Sequence, residues 1–348
     1  MKKLAMIGCS GVGEYHLSHF LQLKHKVELA GFCDTVPERA EDFAARAGQG
    51  RAYTDFRRMY DEVKPDMVFI CVPPFCHGEI EYETITRAIP FFVEKPPALD
   101  LEQARDIRDR VQAAGLITGA GFQCRYSNLV PPTQAFLREH EVIYVSCARM
   151  GGLPNLRWWR NRNCSGGQLV EQTIHQLDML RYICGEPETV YSMAASGFVK
   201  AEEYSIDDAS VTAVRFKNGM LGTISTGCYA QSGLAYDNKI TFSARDARMD
   251  HAIIEYAKIY TAAGKETTGA MGFSDDGTVR SGDALVQTFT QEGDAGLICD
   301  ETFIDAVIAN DGSKIRSTYA DAVKSLAFAL ACNASMETSQ PVRVRWDI

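Results

Sequence analysis

Phe91-Phe92-Val93-Glu94-Lys95-Pro96-Pro97 runs three apolar side chains into a charged pair and then two prolines. Such a run suits a short strand covered on both faces, and the prolines stop its ladder from continuing. The strand therefore ends at Lys95. In an open parallel sheet the ligand crevice lies beyond the carboxyl ends of the strands, so a lysine in this place faces a ligand. Read alone, the pair is also an ordinary strand-end ion pair, and the flanking chain has to decide.

Upstream, Lys3 to Ile7 reads as a strand that meets Gly8-Cys9-Ser10-Gly11-Val12-Gly13 before a helical stretch from Glu14 to Lys24. Strand, glycine turn and helix together offer free amides and a partial positive charge to a pyrophosphate. Gly8 and Gly13 match the first and third glycines of the dinucleotide fingerprint, while Ser10 stands at the second and Gly11 restores some backbone freedom. The strand Val27 to Phe32 leads to Asp34, about twenty residues beyond the turn. A carboxylate there accepts from ribose hydroxyls and repels a 2′-phosphate, and Thr35 rather than an arginine follows it, so the expectation is NAD. Helices at Pro37 to Arg46 and Phe56 to Val63 alternate with a strand at Met67 to Val72, which stops at Pro73-Pro74-Phe75-Cys76-His77. A helix at Leu101 to Ala114 and a strand at Leu116 to Gly121 complete a doubly wound parallel sheet.

The 348 residues suit two domains, and 46% hydrophobic with 23% charged residues are those of a globular protein. A formal charge of −9 argues against nucleic acid or an anionic membrane as partner. No apolar run is long enough to span a bilayer, and the apolar start breaks at Gly8 without a cleavage site. Eleven scattered cysteines, an odd count without a Cys-x-x-Cys pair, read as reduced cytoplasmic thiols.

After Tyr126 the pattern changes. Val142 to Arg149 reads as a strand, followed by a loop with Trp158, Trp159, Arg157, Arg160 and Arg162, which is either a sugar-facing platform or a packed loop with snorkelling arginines. A helix is expected from Gly167 to Asp178, with Glu171, His175 and Asp178 on one side. A carboxylate one turn before an imidazole orients it and raises its basicity, as a proton acceptor requires. Three such ligands without a second His or a Cys make a poor metal site, and no metal is expected. Strands are expected at Ala209 to Phe216 and Met220 to Tyr229 around Asn218-Gly219, then at Lys239 to Ala244 and His251 to Tyr260. Ala263 to Asp283 reads as a long loop, Ala295 to Asn310 and Ala320 to Glu337 as helices, and Val342 to Trp346 as a closing strand. The second half is thus α+β, a mostly antiparallel open sheet with helices on one face.

Gly8 to Gly13, Asp34, Val72-Pro73-Pro74-x-x-His77, Glu94-Lys95-Pro96 and Gly121-Phe122-Gln123-Cys124-Arg125-Tyr126 resemble, in order and spacing, the glucose-fructose oxidoreductase and inositol dehydrogenase (Gfo/Idh/MocA) family. The resemblance implies a Rossmann domain over residues 1–122 and a substrate and oligomerisation domain over 123–348. It also implies NAD-dependent oxidation of a secondary hydroxyl of a sugar, glycoside or cyclitol. Lys95 would touch the reacting hydroxyl, His175 would take its proton, and Glu171, where the family usually has aspartate, would orient the histidine or bind a neighbouring hydroxyl. The implied cofactor set is Gly8, Ser10, Gly11, Val12, Gly13, Asp34, Thr35, Pro73, Pro74, His77, Glu94, Lys95 and Gln123. Arg125, Tyr126, Trp159, Arg160 and Arg162 are substrate-side candidates, and the second sheet would carry a homodimer or homotetramer contact. Alternatives within the family are glycoside cleavage by transient oxidation with NAD recycled, a sugar sensor without turnover, and a reductase of a biliverdin- or diol-like substrate.

Overall fold

The computed structural model describes residues 1–231, 237–262 and 283–346. Its first sheet has six parallel strands, β1 (Lys2–Ile7), β2 (Val27–Cys33), β3 (Arg51–Tyr53), β4 (Met67–Ile70), β5 (Phe91–Val93) and β6 (Thr118–Ala120), in the order β3-β2-β1-β4-β5-β6. Helices α1 (Val12–Gln22), α2 (Pro37–Ala47), α3 (Phe56–Val63), α4 (Glu79–Thr86) and α5 (Leu101–Ala114) make the crossovers. Every residue of β4 and β5 is buried, as strands covered on both faces must be. Asp55 and Asp100 accept from the first amides of α3 and α5, and left-handed Gly115 ends α5, so the local sequence sets these helix bounds. The strand order reverses between β1 and β4, which opens the crevice above their carboxyl ends.

The second half continues with α6 (Val130–Glu139), β7 (Val142–Gly152), α7 (Arg162–Ser165), α8 (Gln168–Glu171), α9 (Ile174–Cys184), β8 (Pro187–Ala195), β9 (Ala209–Phe216) and β10 (Leu221–Ala230). Then follow β11 (Asp237–Ala244), β12 (Ala247–Ala252), β13 (Tyr256–Ala262), β14 (Asp283–Thr290), α10 (Ala295–Ala309), α11 (Tyr319–Thr338) and β15 (Val342–Arg343). The nine strands form one sheet, β14-β13-β12-β11-β7-β10-β9-β8-β15, antiparallel except where β7 runs beside β10. β9 and β10 pair around Gly219, whose φ of 91° is the left-handed conformation expected of Asn-Gly.

Two expectations change. His251 to Tyr260 is not one strand: β12 and β13 fold back on each other, with Ala252 paired to Tyr256. The helix expected from Gly167 to Asp178 breaks at Thr173, so Glu171 ends α8 while His175 and Asp178 belong to α9. The loop expected over Ala263 to Asp283 lies outside the described residues up to Asp283, which opens β14.

One helix of the second half completes the first core. Phe303 of α10 packs edge-on against Phe69 of β4 and Phe92 of β5, whose rings stack at 4.7 Å. Each such ring, fully buried, contributes about 1.5–3 kcal/mol. The end of β5 is therefore held by groups from both halves of the chain. Among the described residues no helix is long and apolar enough to cross a membrane.

Candidate active site

The glycine turn is built for close approach. Gly8 follows β1 at φ 92°, and a Cβ there would sit 2.1 Å from the Cys71 carbonyl oxygen; a Cβ on Gly13 would sit 2.5 Å from that of Gly8. These two glycines let the turn close against β4 and start α1 beneath it. Gly11 is the N-cap of α1 at φ 54°, with no side chain capping the helix and open space where a Cβ would stand. Ser10 and exposed Val12 flank Gly11 in the chain, and the uncapped helix end leaves its first amides for an anion. Asp34, at the end of β2, accepts from the Cys9 amide at 2.8 Å and from the Val36 amide at 2.9 Å, which fixes its carboxylate beside the turn. Exposed Thr35 follows it, and Arg39 lies 3.7 Å away on the solvent side. The cradle, the uncapped helix and the placed carboxylate fit a dinucleotide.

Past β4, Pro73 and Pro74 form a single turn, and the buried His77 imidazole bonds Glu81 at 2.6 Å. Glu94 is buried under Gly121, where a Cβ would fall 2.1 Å from its Oε1. The Glu94 carboxylate meets His16 Nε2 at 3.1 Å, His16 Nδ1 meets Asp300 at 2.8 Å, and Asp300 also bonds His19 Nδ1 at 2.7 Å. His19 Nε2 then reaches Asp294 at 3.2 Å. The two Nδ1 atoms and the Asp300 oxygen have ligand spacing, but hydrogen bonds occupy each of them. Burial opposes a charge on His16; the Asp300 carboxylate, helped by Cys71, outweighs it and holds the imidazole well above its ordinary pKa.

Lys95 leaves the end of β5 and donates from Nζ to Glu171, to the carboxylate and to the backbone carbonyl, each at 2.9 Å. The Lys95–Pro96 peptide is cis. Gly166 and Gly167 lead into α8, both at positive φ, and a Cβ on Gly166 would come 2.7 Å from Val170 Cγ1. That tight entry delivers Glu171 to Lys95. Trp159, fully buried, donates Nε1–H to Glu171 at 2.6 Å, and Gln172 donates at 2.7 Å. Burial alone raises the Glu171 carboxyl, but the Lys95 charge and these three donors hold it below the usual carboxylate range.

No hydrogen bond joins Glu171 to His175. The one-turn pairing expected from helical spacing fails because Thr173 separates α8 from α9, and Asp178 turns instead to Arg125 and Ser325. His175 packs edge-on against Phe122, and its Nδ1 is buried without a partner. Burial, followed by the charges of Lys95 and Arg149, drives its pKa well below the ordinary value. The imidazole is neutral at pH 7. It reaches this state by desolvation and nearby cations, not through a carboxylate.

His175 and Gln123 line a cavity of about 320 Å³ with Arg149, Gln172, Gln176, Asp237 and Asn238. The other arginine candidates stand elsewhere. Arg125 is buried between Asp178 and Asp321, and the Tyr126 hydroxyl accepts from the Arg316 amide. Arg162 pairs with Asp207 and Glu337, and buried Arg160 Nε has no partner. Trp159 is buried and directs its Nε1–H to Glu171. Arg149 was missed by the reading of the sequence, although Val145, Cys147, Arg149 and Gly151 share one face of β7 and a charge on the buried parity of a strand is itself a signal.

Two family descriptions match the chain: "Oxidoreductase family, NAD-binding Rossmann fold" over residues 2–122 and "GFO/IDH/MocA C-terminal domain" over residues 141–248. D-glucoside 3-dehydrogenase of Escherichia coli K12 is 27% identical over 237 residues, 62% of this chain and 67% of that protein. The NAD-dependent scyllo-inositol 2-dehydrogenase of Bacillus subtilis 168 is 25% identical over 64% of this chain and 66% of that protein. Among solved structures, a levoglucosan dehydrogenase with NADH and levoglucosan superposes with a TM-score of 0.83 over 99% of both chains at 18% identity, a likeness of fold. The glycine turn, Asp34, the strand-end Lys95 and both matching models together make this chain a member of the Gfo/Idh/MocA family of NAD-binding oxidoreductases.

Proposed function

We propose that the protein oxidises a secondary hydroxyl of a sugar, glycoside or cyclitol, with Lys95 and His175 as its catalytic residues and Glu171 as the carboxylate that positions Lys95. The observation that carries this reading is a lysine at the carboxyl end of β5, fixed by a buried carboxylate, beside a neutral histidine at a cavity that presents several side-chain amides. Gly8 to Gly13, Asp34 and Thr35 would hold the dinucleotide, with Pro73, Pro74, His77, Glu94 and Gln123 bordering its nicotinamide half. When bound, NAD supplies the hydride acceptor. Lys95 donates a hydrogen bond to the reacting oxygen and stabilises negative charge on it as the proton leaves. His175 takes that proton, for which a neutral imidazole is required. Glu171 holds Lys95 in place; it positions the lysine rather than the histidine.

The relatives named as glucoside and inositol dehydrogenases support the substrate class. The eleven unpaired cysteines support a reducing cytoplasm. The outer face of the nine-stranded sheet exposes Tyr191, Met193, Val211 and Leu221, with Met193 directly opposite Val211, and such a patch suits a contact between two copies of the chain. Absorbance of reduced nicotinamide, followed with NAD and a panel of sugars, glycosides and inositols, tests the reading. A signal lost in Lys95→Met and His175→Asn is expected; glycoside cleavage without reduced cofactor, or sugar binding without turnover, overturns it.

A further inference from the structure

Arg149 lies on the face of β7 that points to the helices, two and four residues beyond fully buried Cys147 and Val145. A guanidinium on that face has lost much of its water and calls for an anion. None of the described carboxylates forms an ion pair with it. Glu171 is already held by Lys95, Trp159 and Gln172, and Asp207 by Arg162. Arg149 instead donates one N–H from Nη2 to Gln172 Oε1 at 2.5 Å and one from Nη1 to Cys228 Sγ at 3.6 Å, both neutral acceptors. Of five guanidinium donors these contacts use two, and the other three have no hydrogen-bond partner among the described residues. Gly151, on the same face, keeps the space beside it open: a Cβ there would come 3.2 Å from Nη1.

The same cavity holds His175, whose neutral state is due in part to the Arg149 charge. Among the described residues Asp237 is the one carboxylate lining it, set at the start of β11 opposite Met150, with Asn238 opposite Arg149. The cavity therefore offers a cation without an acidic partner among the described residues, and neutral amides from Gln123, Gln172, Gln176 and Asn238 around it. Amides suit hydroxyls, while a forked guanidinium suits an oxyanion that accepts two hydrogen bonds.

We propose that the substrate is an anionic sugar, and that Arg149 anchors its carboxylate or phosphate group while His175 and Lys95 act on a hydroxyl of the same ring. The proposal rests on the cavity being the sugar site. Arg149 here fixes substrate class.

The test compares glucuronate and gluconate, as carboxylates, and glucose 6-phosphate, as a phosphate, with glucose, methyl glucoside and myo-inositol. Initial rates with NAD are measured together with equilibrium binding of each sugar by calorimetry in the presence of NADH. One anionic set is expected to exceed the neutral sugars at least about ten-fold in kcat/KM, and Arg149→Gln to weaken its KM and its binding about ten- to hundred-fold. Arg149→Lys should restore part of that loss, and unchanged NAD affinity in both variants shows that the fold survives. Preference for the carboxylates or for the phosphate identifies which source the fork serves. Turnover of neutral sugars without any anionic preference overturns the inference alone. Anion binding that Arg149→Gln abolishes, with no turnover of any sugar, supports it while the oxidoreductase reading fails; absence of both turnover and anion binding overturns both.

Discussion

His175 carries the sharpest consequence at the scale of single residues. Its folded pKa lies well below the ordinary imidazole value of about 6.5 because burial, Lys95 and Arg149 all oppose its charge. A base must be deprotonated to act, so its acid limb follows the folded value. The oxidation rate, kcat/KM against pH, is expected to pass through 6.5 without a break and to fall only well below it. With a substrate that does not itself ionise near that pH, a break at 6.5 would show a solvated histidine instead. Lys95 was legible only in company: alone, Glu94-Lys95 reads equally as a strand-end ion pair, and it was the glycine turn, Asp34 and the alternation around it that set the lysine at a ligand crevice. The sequence did not make the partner of Glu171 legible: helical spacing joined Glu171 to His175, but left-handed Gly166 and Gly167 together with the break at Thr173 send the carboxylate to Lys95. Arg149 was equally hidden, because a strand's parity says which side a residue faces and not that the site lies on that side.

Helices α1 and α10 and the end of β5 meet in the chain Glu94, His16, Asp300, His19 and Asp294. Asp300 is 1% exposed and accepts from both histidines, so removing its charge takes away what holds the proton on buried His16 and leaves both Nδ1 atoms without their carboxylate. Asp300→Asn is expected to destabilise the protein by about 3–5 kcal/mol, read as a lowered urea midpoint. The pH dependence has a definite sign. A folded pKa raised well above 6.5 gives His16 a stabilising contribution that is fully present below about pH 6.5 and is lost as pH rises through the folded value. The denaturation midpoint of the Asp300→Asn protein should lose that component, while a variant as stable as the parent at neutral pH would show that the chain carries no load. The alternation of strands and helices made five of the six strands of the first sheet readable between residues 3 and 121; the edge strand β3 was not, because three residues are too few to show a period. That α10 returns from beyond residue 290 to complete that sheet's core was not readable, since a buried helix face does not name the sheet it covers.

The whole molecule pairs a parallel six-stranded sheet with an open nine-stranded one, and the second is wide enough to leave an apolar face uncovered on the described strands. Light scattering after gel filtration is expected to give a dimer or tetramer mass. Val211→Lys, on that face opposite Met193, is expected to shift it towards the monomer without loss of NAD binding; a monomeric parent would assign the face to something other than a second copy. Antiparallel pairing around Asn218-Gly219 announced this sheet, whereas β7 beside β10 in parallel did not show in the pattern, because parallel partners far apart in sequence share no turn.

Hydride transfer from carbon to NAD is the claim on which all of this depends. The most direct measurement uses whichever sugar is turned over, deuterated at the carbon bearing the reacting hydroxyl, and follows reduced nicotinamide at saturating NAD. Transfer of deuterium to the cofactor, abolished by Lys95→Met in a protein that still binds NAD, is the predicted result. Reduced cofactor that carries no deuterium, or transfer undiminished without Lys95, would contradict the account.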